Sequence, residues 1–386
     1  MRYPEEELID ILRENGVDVT ASLPCEKIRV LLEMVGGRFF HIPLTREEEG
    51  VGICAGAALS GKRPALFVQS SGIGNMVNAL LSLTQFYELP LAVFVSQRGV
   101  YQEKIAAQFP MGRRLPMILK GAGIPYSPVG SRKDFEAIRK NLPEVYRKDS
   151  IHVFLLSPAL WQHSGCTISA AQEVTRSSPS PAGRTSPGTA YPMRGRRPVP
   201  RFTRYEILEM IAPFLDSKVV VCNLGFPSKE LYHIKHQPSN FYMLGSMGMV
   251  TPIGLGIAIT SDSDVVVIDG DGSLLMNPGT LATAAFCSPG NLTILAVDNA
   301  VYGSTGNQPT FTGSLVDLEV VARGFGIKDT MKTAGKRPLI EAMKAAPKTL
   351  RFIHVIAVPG NREVPNIPLH HLEIKRQVRD FLSGRL

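Results

Sequence analysis

Short apolar runs alternate with amphipathic stretches along almost the whole chain. Residues 64–69 and 90–95 are apolar almost throughout, which is typical of strands buried on both faces of a parallel sheet. The stretches between such runs, including residues 5–15 and 47–59, have the polar face or the small side chains of helices that pack on a sheet. The alternation predicts an α/β fold with two doubly wound parallel-sheet domains.

The predicted elements fall into two sets of similar length. The first set has strands at residues 18–23, 39–43, 64–69, 90–95 and 152–156, and helices at 5–15, 25–34 and 47–59. The second has strands at 218–221, 265–268, 292–297 and 352–357, and helices at 252–260, 279–286, 315–324 and 337–344. The polar, glycine-rich residues 69–79 predict a turn between a strand and a helix, either a phosphate loop or a tight helix entry. Ligand sites are expected beyond the carboxyl ends of the strands.

A segment rich in serine, proline and arginine separates the two sets. Residues 177–188 contain almost nothing that a core could bury and several helix breakers, so they predict a flexible connection. We expect a first domain at residues 1–165, a flexible linker at 166–201 and a second domain at 202–386.

Composition and charge narrow the class of protein. With 44% hydrophobic and 20% charged residues, and no apolar run near the length of a membrane span, the chain predicts a soluble protein that does not enter a membrane. The N-terminus has no signal-peptide core. The five cysteines stand singly, which indicates reduced thiols, no zinc site and a cytoplasmic location. Most of the net charge of +8 lies in the linker, where six arginines face one acid, so no nucleic-acid partner is predicted.

The strongest chemical motif follows the strand at residues 265–268. Gly270 and Gly272 flank Asp271, and Ser273 comes next; glycines there let a ligand approach the backbone. One crossover later, the strand at 292–297 ends in Asp298 and Asn299. Asp271 and Asn299 should therefore emerge side by side, and carboxylate and amide oxygens suit Mg²⁺ with diphosphate.

These residues resemble the diphosphate-binding motif of thiamine diphosphate enzymes. The resemblance implies that the side chains of Asp271 and Asn299 and the carbonyl of Val301 bind Mg²⁺. Asp298 departs from the family pattern, which has Asn there. Residues 244–252 resemble the family segment whose large apolar side chain supports the cofactor, a role that falls to Met247. The cofactor-binding residues implied in this half are Gly245, Ser246, Met247, Gly270, Asp271, Gly272, Ser273, Asn299, Val301, Tyr302 and Gly303.

The same resemblance implies an activating carboxylate in the first domain. Residues 44–58 begin a predicted helix with three successive glutamates, and acids in a first turn also favour the helix dipole. In the family, the catalytic Glu lies nine residues before a helix glycine. Counting back from Gly56 gives Glu47 as the catalytic and cofactor-binding residue, with Glu48 as the alternative.

Three stretches of the first half, at residues 22–25, 41–56 and 107–112, resemble the α subunit of the sulfopyruvate decarboxylase family, and the second half resembles its β subunit. The resemblance implies a pyrimidine-binding and a diphosphate-binding domain fused in one chain. It also implies thiamine diphosphate and Mg²⁺ as cofactors and decarboxylation of sulfopyruvate to sulfoacetaldehyde, in coenzyme M biosynthesis. Decarboxylation of phosphonopyruvate, which has similar charge and shape, is the alternative. A non-catalytic thiamine diphosphate sensor is a further one.

A small anionic 2-oxo acid needs polar and cationic side chains near the cofactor. Arg98, Lys104, Arg113 and Arg114 follow the strand at residues 90–95, and an arginine fork matches a sulfonate or phosphonate. The substrate-binding candidates are Ser71, Asn75, Arg98, Gln108 and Arg113. Because the predicted carboxylate and metal ligands lie on different domains, we expect a homodimer or larger homo-oligomer, with the site formed either within or between chains.

Overall fold

Two parallel sheets, each of six strands, organise the residues that the computed structural model describes, which are 3–162, 164–166, 197–345 and 347–386. The chain divides into two units, one up to residue 179 and one from residue 180. The predicted linker, residues 166–201, lies outside the described residues except for Cys166 and residues 197–201.

The first unit alternates strands and helices from its beginning. Its elements are α1 (Pro4–Glu14), β1 (Val19–Ser22), α2 (Arg29–Arg38), β2 (Phe40–Pro43), α3 (Glu47–Leu59), β3 (Pro64–Gln69), α4 (Ser70–Ala79), β4 (Leu91–Ser96), α5 (Phe109–Gly121), β5 (Tyr126–Val129), α6 (Phe135–Arg147) and β6 (Ile151–Leu156). The sheet order is β2-β1-β3-β4-β6-β5, and every pair is parallel. Phe67, Phe94 and Phe154 stack on the three central strands, between the sheet and its helices.

The second unit repeats this plan with a different set of core side chains. Its elements are α7 (Arg204–Ile211), β7 (Val219–Cys222), α8 (Phe226–Ile234), β8 (Asn240–Tyr242), α9 (Val250–Ala258), β9 (Val265–Gly270), α10 (Asp271–Met276), α11 (Thr280–Cys287), β10 (Leu292–Asp298), β11 (Val301–Tyr302), β12 (Gln308–Pro309), α12 (Leu318–Gly324), β13 (Asp329–Thr333), α13 (Lys336–Lys344), β14 (Arg351–Ile356) and α14 (His371–Leu382). The parallel sheet has the order β13-β14-β10-β9-β7-β8, and β11 and β12 form a short antiparallel hairpin beside it.

The predicted α/β class and parallel sheets are confirmed. One local prediction is wrong: residues 70–79, predicted as a turn, form helix α4 directly after β3. Gly72 and Gly74 disfavour a helix by propensity, but packing of α4 on α3 and α5 outweighs that preference. Among the described helices, none combines the length and hydropathy that a membrane span requires.

Candidate active site

A cavity opens in the second unit where β9 and β10 end. The two strands are adjacent, with Gly270 paired to Val297, so the residues that follow them emerge side by side, as predicted. The cavity brings together most of the predicted cofactor-binding residues of this half: Met247, Gly270, Asp271, Gly272, Ser273, Asn299, Val301, Tyr302 and Gly303. Gly245 and Ser246 precede Met247 without lining the cavity. Arg204 and Asn223, which the sequence did not single out, also line it.

In the part of the chain that the structure describes, Asp271 is one of two buried acids that line this cavity, and Asp269 is the other. The side chain of Asp271 accepts hydrogen bonds from the hydroxyls of Thr310 and Thr312, the latter at 3.0 Å. Burial, together with the nearby charge of Asp298, raises the pKa of Asp271 to about 6. A divalent cation at this carboxylate would favour its charged form, so the donor set fits the metal that the motif implies.

Asp298 begins a tight turn that presents Asn299 and Val301 to the cavity. Its Oδ1 accepts a hydrogen bond from the amide of Ala300 at 3.0 Å, and Oδ1 of Asn299 accepts one from the amide of Val301 at 3.3 Å. Ala300 has φ +63°, a left-handed conformation that costs a non-glycine residue roughly 1–3 kcal/mol. The hydrogen bonds from the amides of Ala300 and Val301 to the side chains of Asp298 and Asn299 therefore offset part of this cost.

The carboxylate of Asp298 faces away from the cavity, into a cluster of charged side chains. It accepts two hydrogen bonds from Arg197, at 2.7 and 3.0 Å, and one from Nε2 of His354 at 2.8 Å. Burial alone would raise the pKa of Asp298, but the bonds from His354 and Arg197 outweigh it and lower the pKa to about 2. Burial would lower the pKa of His354, yet its contacts with Asp298 and Asp317 raise it. No sequence motif could predict this cluster, because its members are far apart along the chain.

Met247 projects into the cavity from an irregular segment. Ser246 and Gly248, on either side of it, both have positive φ, +58° and +90°, and the amide of Gly248 donates to the hydroxyl of Ser273 at 3.1 Å. The backbone thus turns sharply on both sides of the methionine. Met247 stays partly exposed in the cavity while its neighbours are buried, which is unlike an ordinary core methionine.

Gly272 is required by close packing. A Cβ on this residue would lie 2.2 Å from the ring of Tyr302, which is far inside van der Waals contact. The same ring lines the cavity. The glycine therefore allows α10 to approach the turn after β10, so that both predicted metal-binding segments face one space.

In the first unit, α3 and α4 bring Glu47 against the backbone of Gly72. The Glu47 side chain is 5% exposed, and its Oε2 accepts a hydrogen bond from Nδ2 of Asn75 at 3.0 Å. A Cβ at Gly72 would lie 2.7 Å from Oε1 of Glu47. The glycine that weakened the helix prediction for α4 is thus where the predicted catalytic carboxylate packs.

The two neighbouring glutamates have other partners. Glu49 is fully buried at the start of α3 and accepts hydrogen bonds from the hydroxyl of Thr45 at 2.8 Å and the amide of Arg46 at 3.3 Å. Glu48 lies 3.6 Å from the guanidinium of Arg46, and its pKa is raised by partial burial. Among the three, Glu47 alone contacts Asn75 and Gly72 in this way.

The substrate-binding candidates have different environments. Asn75 holds Glu47, and the hydroxyl of Ser71 accepts a hydrogen bond from Gln69 at 2.8 Å. Gln108 has a buried Oε1 with no hydrogen-bond partner among the described residues. Arg113 is exposed and stacks on the ring of Phe109, with Cζ 4.6 Å from its centroid.

Arg98 is not the open cation that its position suggested. It is 5% exposed, and its guanidinium donates two hydrogen bonds to Glu103, at 2.6 and 2.8 Å. The bond from Arg98 lowers the pKa of Glu103 to about 2. The pair closes the loop between β4 and α5, so the charge of Arg98 is already neutralised within the protein.

Comparison with known proteins agrees with this geometry. Residues 5–116 match the N-terminal TPP binding domain of thiamine pyrophosphate enzymes, and residues 224–356 match their C-terminal TPP binding domain; thiamine pyrophosphate is thiamine diphosphate under another name. The chain belongs to the thiamine pyrophosphate enzymes, and the predicted family resemblance is confirmed.

Individual relatives are more specific. The chain is 42% identical to sulfopyruvate decarboxylase of Methanosarcina acetivorans over 382 residues, which cover 98% of both chains. It is 32% identical to phosphonopyruvate decarboxylase of Streptomyces hygroscopicus over 95% of this chain and 91% of that one. The sulfopyruvate decarboxylase β subunit of Methanothermobacter thermautotrophicus is 47% identical over 44% of this chain and 90% of its own length. The α subunit of Methanococcus maripaludis is 37% identical over 41% of this chain and 96% of its own length.

Proposed function

We propose that this chain decarboxylates sulfopyruvate to sulfoacetaldehyde and CO₂ with thiamine diphosphate and Mg²⁺. The observation that carries the reaction class is the delivery of Asp271 and Asn299 to one cavity by adjacent strands, in a chain of the thiamine pyrophosphate family. The substrate rests on the 42% identity to a sulfopyruvate decarboxylase along nearly the whole length. The 32% identity to a phosphonopyruvate decarboxylase makes phosphonopyruvate the second candidate.

In this proposal, Asp271, Asn299 and the carbonyl of Val301 would hold Mg²⁺, and the amides around Gly272 would be donors for the diphosphate. Met247 supports the cofactor from the wall of the same cavity. The cofactor, when bound, supplies the electron sink that accepts the electron pair released as CO₂ leaves. The protein supplies burial, orientation and the charges that hold the cofactor in place.

Glu47 is the proposed proton carrier at the aminopyrimidine ring. The side chain of Glu47 is buried, and Asn75 donates to its Oε2. Within the described ranges of the chain, no residue donates a hydrogen bond to its Oε1. A carboxylate held in this way can exchange a proton with a ring nitrogen. Asn75 then acts through Glu47, which refines its predicted role in substrate binding.

The anionic end of the substrate would meet polar and cationic groups near the start of α5. The exposed guanidinium of Arg113, a cation that can donate to an anionic group, supports this location. Ser71, at the start of α4, is a further candidate. Arg98 contributes by holding the loop, because Glu103 occupies its guanidinium.

One cofactor molecule needs both Glu47 and the metal-binding residues, so the proposed reaction requires both units of the chain. Related enzymes of this reaction consist of separate α and β subunits, which supports an assembly of more than one chain. We propose a homodimer as the smallest active form. Measurement of mass by light scattering would test this directly.

The test of the function is CO₂ release by the purified protein with thiamine diphosphate and Mg²⁺. Sulfopyruvate, phosphonopyruvate and pyruvate are compared, and Glu47→Gln is run beside the matched control Glu48→Gln. We expect sulfopyruvate to be preferred, and Glu47→Gln to lose about 10²- to 10⁴-fold in kcat. Glu48→Gln should stay within about threefold of the native protein, since Glu48 contacts Arg46 at the helix start.

Other outcomes point to the alternatives. Preference for phosphonopyruvate would keep the mechanism and overturn the substrate. Tight cofactor binding with no turnover of any of the three would favour a non-catalytic sensor. Equal losses in both glutamate variants would remove the special role of Glu47.

A further inference from the structure

A cluster of charged side chains lies behind the turn that presents Asn299 and Val301, outside the cavity itself. Asp298, fully buried, is its centre, and His354 is 1% exposed. Arg197 comes from the end of the segment that joins the two units, and it donates to both oxygens of Asp298 and to the carbonyl of Thr312, the last at 2.8 Å. The guanidinium of Arg197 and the imidazole of His354 therefore share one buried carboxylate.

The cluster continues on the far side of His354. Its Nδ1 lies 3.5 Å from Oδ1 of Asp317, and Asp317 is itself paired with Lys332. The imidazole is thus held between two carboxylates. Buried charges are costly unless each has a partner of opposite charge. Here these partners fix the orientation of the Asp298 side chain.

Asp298 in turn supports the turn that follows it. Its Oδ1 accepts the amide of Ala300, the residue with φ +63°. The hydroxyl of Thr312 lies 2.7 Å from Oδ1 of Asp298 and 3.0 Å from Oδ2 of Asp271. This hydroxyl links the acid behind the turn to the acid in the cavity.

The ion pair of Arg351, in the same unit, lies away from this connection. Arg351 lies on β14, the strand that also carries His354, but at its amino end. It donates to Asp329 at 2.8 Å and to the carbonyls of Ala342 and Ala345. Arg351 therefore resembles Arg197 in its type of contacts and in its partial burial, and it lies away from the cavity.

We propose that Arg197 and His354 are positioning residues of the cofactor site: by holding Asp298 they fix the turn at residues 298–301, and with it the orientation of Asn299 and the carbonyl of Val301. The described end of the predicted linker, residues 197–201, thereby contributes a side chain to the support of the diphosphate-binding end. The inference deepens the proposed function and rests on it for the identity of the bound group. It also accounts for Asp298 in place of the family's Asn, since a carboxylate offers two acceptor oxygens to Arg197 and to Nε2 of His354, whereas an amide offers one.

The first test measures cofactor binding without substrate. Thiamine diphosphate is titrated into the full-length protein by calorimetry at several Mg²⁺ concentrations, with Arg197→Met, His354→Leu and the control Arg351→Met. Residues that orient metal ligands typically change metal affinity about 10- to 100-fold. We expect a rise of that size in the Kd of thiamine diphosphate and in the Mg²⁺ requirement for the first two variants, and no change beyond about threefold for Arg351→Met. His354→Gln, which keeps a donor for Asp298, should recover part of the loss.

The second test needs no cofactor. Hydrogen exchange at the amides of Ala300 and Val301 should accelerate at least about tenfold in Arg197→Met and stay native in Arg351→Met. Failure of the native protein to bind thiamine diphosphate would overturn the proposed function, while exchange would still decide whether Arg197 fixes the turn. Native affinity and native exchange in Arg197→Met, with only lower stability as in Arg351→Met, would overturn the inference. If Arg197→Met does not fold, the same two measurements on Arg197→Lys decide whether Arg197 fixes the turn.

Discussion

Gly72 shows how a residue without a side chain can determine the position of a charged one. Its missing Cβ leaves the space that the carboxylate of Glu47 occupies, with Oε1 of Glu47 only 2.7 Å from where that atom would lie. Asn75, one turn along α4, then holds the other carboxylate oxygen. The position of Glu47 therefore depends on two residues of a different helix.

Replacement of Gly72 by alanine should displace Glu47 and remove most activity. The added methyl group would meet Cγ, Cδ and Oε1 of Glu47 within 3 Å, so Glu47 has to leave its rotamer or α4 has to shift, at a cost of roughly 1–3 kcal/mol. We expect kcat to fall at least about 100-fold, in line with the loss of a positioned proton carrier. Steady-state decarboxylation measures this change.

Gly74 provides the matched control because it lies in the same helix. A Cβ there would be 3.4 Å from Cε of Met111, and the end of a methionine side chain can move. Gly74→Ala should raise the free energy of unfolding by about 0.5–1 kcal/mol through helix propensity and leave kcat unchanged. Equal activity of both alanine variants would show that the contact between Gly72 and Glu47 does not matter for catalysis.

For single residues, the sequence predicted where a side chain lies in the fold better than it predicted which side chains that residue contacts. Asp271 and Asn299 were predictable because each follows a buried strand, and adjacent parallel strands present their carboxyl ends together. The bonds of Asp298 were not predictable, since Arg197 and His354 lie 101 and 56 residues away from it. Thr310 and Thr312 belong to no motif and reach Asp271 only through the hairpin.

At the scale of elements, the loop between β4 and α5 depends on an ion pair within it. Arg98 turns inward to Glu103, whose carboxylate also accepts the amides of Gly99, Lys104 and Ile105 at 3.1–3.3 Å. Helix α5 then packs against the start of the loop so closely that a Cβ on Gly112 would lie 1.7 Å from the carbonyl oxygen of Arg98. The start of α5, with Gln108 and Arg113, is positioned by this closure.

Arg98→Met should destabilise the first unit. It should not weaken substrate binding, because Arg98 is not expected to contact the substrate anion. The change leaves the buried Glu103 unpaired, which typically costs about 3 kcal/mol. The double variant Arg98→Met, Glu103→Gln should recover most of that loss, because Gln keeps an acceptor for the loop amides. Urea unfolding measures stability, and KM for the substrate measures binding.

The double variant separates the two roles of Arg98. If Arg98 only closes the loop, KM should stay within about threefold of the native value once stability is restored. A rise of tenfold or more in the stable double variant would instead assign the substrate anion to Arg98. Arg147→Met is the control, since the pair of Arg147 with Glu144 is exposed to solvent and should add little to stability.

Central strands were easier to predict than edge strands for a physical reason. The strands β3, β4, β9 and β10 are buried on both faces, so continuous apolar runs mark them. The strands β5, β8 and β13 lie at the edges or next to them and were missed: β5 contains a proline, β8 has three residues, and β13 is largely polar. An edge strand needs no continuous apolar run, so its sequence pattern is weak.

At the scale of the whole molecule, each unit has its own sheet and its own buried core, and each contains the residues of one half of the proposed chemistry. The α and β subunits of related sulfopyruvate decarboxylases correspond to separate parts of this chain. A domain with its own core can fold by itself. The covalent connection would then raise the effective concentration of one unit near the other without being needed for catalysis.

Cleavage of the connection tests this role. A protease site is inserted between residues 182 and 186, upstream of Arg197, and the purified protein is cut after assembly. We expect both fragments to stay together and kcat to remain within about twofold, because Arg197 stays on the fragment that contains Asp298. Size-exclusion chromatography and CO₂ release measure the two properties.

A second cut distinguishes tethering from support of the cofactor site. With the protease site placed after Pro200 instead, Arg197 is separated from the fragment that carries Asp298. If Arg197 supports the turn at residues 298–301, the affinity for thiamine diphosphate should fall after this cut and not after the first, with the same chain composition in both cases. Loss of activity after the first cut would mean that the connection itself is needed. Full affinity for thiamine diphosphate after both cuts would mean that Arg197 holds Asp298 even when no peptide bond links their two fragments.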